Sequence, residues 1–450
     1  MKRWDAASIS FVGALVLVVW PGAAVAHATD QAFVLLLPTG VYTIVGVIAV
    51  AATFLLTVIL PHGAVPAMAR SRKFVVPPGK VGVSLCATAV LFGLLFAGLY
   101  GSRDPTANPL PLVFWTLFWV AFVSLSGFLG NLWAWVNPWH GLLRGLVLMG
   151  VQPAFRLTER AADTIAVLSL LAFAGFLLAD PAPADPARLS FFGALYWGGT
   201  LLGAAICGPV WLQRAELFAA LLRWFGALSA LRWEGGRMGW PGWQVVTARG
   251  SAAYMLLPLV MLGTGSFDGF NETFVWLGWL GINPLEFPGR SAVQVANTVG
   301  LLAAITVLGV LFFGAVALGQ VLASPVPGAT LRLAPTVLPI ALAYHIAHYL
   351  PGFLVEIQYV AGMFARLIGL EPPVVTTGFF FDPNLVRLIW IGQGLAVVVG
   401  HIHAIYLAHI VALDIYGTRR RAVLSQVPLG CFMIAYTFFG LWLLAAPKGA

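Results

Sequence analysis

Charge is what this chain has least of: 9% of its 450 residues are Asp, Glu, Lys or Arg, against roughly 25% in an ordinary soluble domain. A water-facing surface cannot be built from so few, which excludes a soluble globular domain. Cysteine is scarce too, at three residues. Cys86, Cys207 and Cys431 lie in separate apolar stretches without paired spacing, which excludes a disulfide framework or thiolate metal site and reads them as small core residues. No Gly-rich phosphate loop, Ser-His-Asp arrangement, His-Glu-x-x-His spacing or nucleic-acid patch is present. The net charge is +8, but the basic residues fall in short segments between apolar runs. Membrane orientation accounts for them and nucleic acid does not.

What the chain has is apolar bulk: 60% hydrophobic residues, with 17 Trp and 31 Phe. Crossing the hydrocarbon of a bilayer takes about 20 apolar residues in a helix. Runs of that kind occur near 33–60, 82–100, 110–130, 164–180, 190–212, 251–266, 294–323, 333–358, 385–411 and 424–446. The expected fold class is therefore all-α, a polytopic transmembrane bundle of about ten spans in contact with the lipid bilayer. The segment 272–282 reads as an interfacial or re-entrant piece.

The start of the chain reads as a signal peptide: Lys2 and Arg3, an apolar run from Ile9 to Trp20, then Ala24-Val25-Ala26. Cleavage after Ala26 leaves residues 27–450 as one integral membrane domain; the alternative is an uncleaved first helix. Loop charges then alternate. Arg70, Arg72, Lys73 and Lys80 fall on one side, as do Arg144, Arg156 and Arg160, then Arg214 to Arg249, Arg332 and Arg419 to Arg421. Asp104, Asp185, Glu286 and Asp382 fall on the other. Cytoplasmic loops are enriched in Lys and Arg, which predicts a bacterial cytoplasmic membrane with both ends of the mature chain outside. Within the long basic loop, Glu216 to Leu231 reads as an amphipathic interfacial helix. Trp133, Trp135 and Trp139 read as an aromatic interface anchor, and Gly235 to Trp243 as a turn with further Trp anchors.

Ionisable groups inside a bilayer are costly and mark sites or pathways. Five of the eight histidines lie in two C-terminal spans: His345 and His348 in Tyr344–Tyr349, and His401, His403 and His409 in the next. His345 and His348 share a helix face about 4.5 Å apart along the axis. Counted from the flanking arginines, all five fall at overlapping depths, so they could share one layer. Neutral imidazole is a common metal ligand, so a divalent metal such as Zn is one reading of the cluster, and haem b is another. The third is that each ring is singly satisfied across helices. Pro351-Gly352 predicts a kink or helix end beside the pair. Glu356 beyond it is a candidate acid–base or ligand-orienting carboxylate, or an interfacial Glu facing water. Gly265 to Glu272 reads as an outer loop where Asp268, Asn271 and Glu272 could meet a substrate or simply form a solvated turn. His27 is a weak metal-chelating candidate, and His62 and His140 sit at span boundaries.

At several of these residues the chain resembles the bacterial multi-span membrane proteins labelled fenitrothion hydrolase. The resembling segments are Gly130-Asn131-Leu132-Trp133 to Trp139, Gly265 to Gly269, Pro339 to Tyr349, and Gly400-His401 to His409. In that family the most distinctive segment carries Ala-His-Tyr, matched by Ala347-His348-Tyr349; His345 departs from it, as does Ile410 where Asp usually follows the last His. The resemblance implies hydrolysis of a lipophilic organophosphorus ester, in which a His-bound metal would activate water. Beside it stand a metal- or haem-binding redox or transport protein and a structural or assembly protein.

Overall fold

The computed structural model describes residues 39–57 and 69–448; the expected signal segment, His27 and His62 lie outside them. The chain forms α1 (Thr39–Thr57), α2 (Lys80–Tyr100), α3 (Pro109–Leu129), α4 (Glu159–Ala179), α5 (Pro186–Cys207), the short α6 (Leu217–Gly226), α7 (Ala252–Phe270), α8 (Arg290–Ala323), α9 (Ala329–Leu367), α10 (Pro383–Tyr416) and α11 (Arg419–Ala445). Among the described residues, nine of these are long and apolar enough to cross a membrane. This is an all-α, multi-pass membrane protein. The tenth predicted span is α7, which also runs from one end of the bundle to the other but carries Gly, Ser and Asp in its last turns.

The starts of the spans are written in local sequence. Asn108, Asp185 and Asp382 each cap a helix whose first residue is a proline, Pro109, Pro186 and Pro383. The missing proline N–H is one that a helix start would leave unpaired anyway. Interior prolines need help from a neighbour. Pro351 cannot donate to the Ala347 carbonyl, and the Gln393 amide of α10 donates to it instead at 2.7 Å. Pro258 likewise frees the Tyr254 carbonyl, which accepts from the Trp224 indole at 3.1 Å. Both helices therefore continue through their prolines; of the kink or end predicted at Pro351, the end does not occur.

Short β pairings and ion pairs sort the loops into two ends. β1 (Ser71–Lys73) pairs antiparallel with β3 (Arg237–Gly239), which pairs with β2 (Leu231–Arg232). Asp414 joins Arg332 at 2.5 Å and Arg249 at 3.5 Å on the same basic end. At the opposite end Arg103 meets Asp185 at 3.3 Å, and the Phe274 amide donates to the Pro447 carbonyl at 2.9 Å. The loops that charge alternation assigned to one side are thus tied to one another. In a cysteine-free parent, single Arg237→Cys and Arg420→Cys variants should label from one side and Asp104→Cys and Glu286→Cys from the other. Labelling of Arg237→Cys and Glu286→Cys from the same side would overturn this topology.

α8 turns Val295, Val299, Val310 and Val321 outward, as lipid contact requires. By contrast the apolar stretches of α9 and α10 are more than half enclosed by the bundle, whereas that of α1 is largely exposed. The helices carrying the histidines are the interior ones. Small residues let them approach: a Cβ at Gly400 would stand 2.4 Å from Ala343 Cβ, and one at Gly319 of α8 only 2.0 Å from the Ser425 carbonyl oxygen of α11.

Three expectations are corrected here. The 216–231 segment is not an interfacial helix, because α6 is buried along nearly its whole length against α3, α4 and α7. Trp133 and Trp139 are interior residues whose indoles donate to the Glu216 carboxylate and the Trp197 carbonyl, each at 2.8 Å. Cys86 and Cys431 face outward instead of into the core. In each case, composition could not tell a lipid-facing apolar surface from a protein-facing one.

Candidate functional site

The predicted outer loop Gly265–Glu272 is mostly helix, and this changes the site. Its residues through Phe270 complete α7, with Asp268 buried between α7 and α9. The Gly-Ser-Asp composition suggested a turn, and each Gly costs about 1 kcal/mol in a helix relative to Ala. Packing overrides that preference. Ser266 donates to the Leu262 carbonyl at 2.7 Å and accepts from the Tyr436 hydroxyl of α11. Gly269 is required by the Tyr344 hydroxyl of α9, which a Cβ there would meet at 1.8 Å.

Asp268 gathers the neighbouring polar side chains of α9. The Tyr349 hydroxyl donates to its Oδ2 at 2.5 Å, and His348 Nε2 stands 3.4 Å from the same oxygen. The Tyr344 ring stacks on the His348 imidazole with an interplanar angle of 12°. With Nε2 directed at the carboxylate, His348 Nδ1 is left buried without a protein partner, as is the Tyr344 hydroxyl. Glu272 lies beyond the end of α7, in the turn after its C-cap, at the surface and 3.5 Å from Lys448. Asn271 is the buried C-cap of α7. The predicted trio is thus split between bundle interior, cap and surface.

The five histidines are aimed at different neighbours. His345 Nε2 lies 3.0 Å from the Trp119 carbonyl in the π-helical centre of α3. His348 faces α7. His401 Nδ1 donates to the Val397 carbonyl one turn back at 2.8 Å, which leaves its buried Nε2 without a protein partner. His409 Nδ1 accepts from the Gln426 amide of α11 at 3.0 Å. His403 lines an outward groove of about 420 Å³ with Thr53, Thr57 and Tyr406.

Among the described residues no three His, Cys, Asp or Glu side chains stand close enough to share a metal ion. The residues as packed do not fit a common ligand set. Overlapping depth did not produce a shared layer because the rings leave their helices at different azimuths. Glu356 is also separate: its Oε2 accepts from Thr116 at 2.7 Å, about 12 Å along α9 from His348.

Sequence reasoning missed the partnership of Asp268 with His348 and Tyr349, and the amides Gln393 and Gln426. The recurrence of Thr264, Asp268 and Glu272 at four-residue spacing was the available signal for a polar helix face. Comparison of the chain with family models, characterised proteins and solved structures gives no match.

Proposed function

We propose that this multi-pass protein resides in a bacterial cytoplasmic membrane, its basic end in the cytoplasm, and exchanges protons through His348 with Asp268 as the counter-charge. One observation carries the reading: a buried carboxylate and imidazole face each other across two interior helices, and among the described residues the second ring nitrogen has no hydrogen-bond partner. A proton accepted at Nδ1 gives an imidazolium paired with Asp268, so the charge created in the bundle interior is balanced on the spot. Tyr349 holds the carboxylate in place. Glu272, four residues further on in the turn that follows α7, lies at the surface beside Lys448.

The test is proton flux in liposomes reconstituted with the full chain, with a pH-sensitive dye inside and an imposed membrane potential. The parent should take up protons, and Asp268→Asn and His348→Gln should each lower the rate about 100-fold or more, the loss expected for one acid–base group. Absence of flux above protein-free liposomes would falsify the reading, as would unchanged rates in both variants.

The same pair supports a second reading, hydrolysis of a lipophilic ester as the resemblance implies. A carboxylate-oriented imidazole with a free nitrogen is a general-base arrangement. Nδ1 would take a proton from water, the resulting hydroxide would form a bond to phosphorus, and the aryl-oxide would leave. Phenolate release from an aryl phosphorothioate by the parent, lost in His348→Gln, separates this activity from proton exchange alone.

A further inference from the structure

We propose that an open cavity of about 930 Å³ at the basic end of the bundle binds a phosphate-bearing anion. It lies between the start of α2, the segment after α3, α6 and the stretch leading into α7. Tyr254 on its wall and Asp268 are 14 residues apart in α7, about 21 Å. The cavity is therefore distinct from the His348 pair and does not rest on the reading above.

Its walls carry Lys80, Arg144, Arg223, Arg232 and Arg249 against a single carboxylate, Glu234, whose Oε1 accepts from Asn131 at 2.6 Å. Arg249 is partnered by Asp414 at 3.5 Å. Among the described residues, Lys80, Arg144, Arg223 and Arg232 have no carboxylate within 4.0 Å. Burial, reinforced by the charges of Lys80 and Arg144, holds the His140 imidazole on the same wall below its ordinary pKa.

Arg223 shows what is missing. Its guanidinium lies over the Tyr254 ring at 4.9 Å, and Nη1 donates to the Gln213 carbonyl at 2.9 Å. The Nε and Nη2 atoms are buried and, among the described residues, have no acceptor. Elsewhere this chain uses the same edge of the fork for carboxylates, Arg188 on Asp180 and Arg214 on Asp163. That edge matches two oxygens of one anion. Four cations without an ion-pair partner, against the one carboxylate of Glu234, call for an anion with several acceptor oxygens, which a phosphate group supplies as monoester or diester. At the boundary of a membrane the group can arrive on a lipid or in a soluble molecule, and the chemistry of recognition is shared.

The experiment uses the full chain with two probes. In nanodiscs of phosphatidylglycerol or phosphatidylcholine, the melting temperature and the lipid retained in native mass spectra are read. In detergent, inorganic phosphate is titrated and the melting temperature followed. Preferential retention of phosphatidylglycerol identifies a lipid headgroup, and a saturable rise with inorganic phosphate identifies a soluble anion. Either result should weaken ~10-fold or more in Arg223→Gln, as loss of one charge-assisted contact predicts. Because Arg223 also packs on Tyr254, Arg144→Gln serves as a second variant and should weaken the same binding. If neither probe is bound, or both variants bind like the parent, the proposal fails.

Discussion

Glu216→Ala should cost about 3–5 kcal/mol of stability, because it strands several buried neutral donors, each costing about 1–3 kcal/mol when left unpaired. The carboxylate is almost wholly enclosed and accepts four hydrogen bonds. Oε2 takes the Trp133 indole at 2.8 Å and the Ala219 amide at 2.7 Å, and Oε1 takes the Phe218 amide at 2.8 Å and the Tyr196 hydroxyl. Two of these donors are the first free N–H groups of α6, a helix start buried too deeply for water to satisfy them. The others come from α5 and from the segment after α3, so this one side chain ties three parts of the chain together. Glu216→Gln should be milder, at about 1–2 kcal/mol. Its amide oxygen still serves Trp133 and Ala219, and its NH₂ can donate to the Tyr196 hydroxyl, leaving only the Phe218 N–H unpaired. Thermal and denaturant unfolding in detergent should rank the alanine variant below the glutamine variant, and that below the parent. A loss under 1 kcal/mol for alanine would contradict this account of α6.

Gly269→Ala is expected to destabilise the bundle by about 3 kcal/mol, the upper range for overpacking a rigid site. It should also disable the Asp268–His348 pair. The added methyl would meet the Tyr344 hydroxyl at 1.8 Å, and that ring stacks on His348. Tyr344→Phe removes the atom in conflict. The alanine substitution should therefore cost less in a Tyr344→Phe background, with a coupling of about 1–2 kcal/mol in a double-mutant cycle. Proton flux should fall in Gly269→Ala and recover in part in the double variant. Additive effects would mean that the glycine is not there for the tyrosine.

The membrane class, the apolar spans and which loops share an end of the bundle were legible from the residues alone. Each rests on a one-dimensional quantity: the length of an apolar run, the placement of Lys and Arg, or an Asn or Asp before a Pro. Ten spans were expected; among the described residues nine helices are long and apolar enough, and the less apolar α7 lies where the other was expected. The chain also indicated that polarity concentrates in α9 and α10, because a His in an apolar run stands out without any knowledge of its neighbours. Which side chains meet was decided only in three dimensions. The depths of the five histidines suggested one layer, but His345 turns to Trp119, His348 to Asp268 and His409 to Gln426, directions set by how each helix is rotated against its partners. Asp268 was placed on a loop because its Gly and Ser neighbours disfavour helix; buried contacts with Tyr344 and Tyr436 outweigh that local preference. Glu216 and the tryptophans of 133–139 were assigned to the interface because apolar residues look alike whether they face lipid or protein. Hydrophobicity along the chain records how much of a segment leaves water, whereas the choice between lipid and a neighbouring helix belongs to the packing.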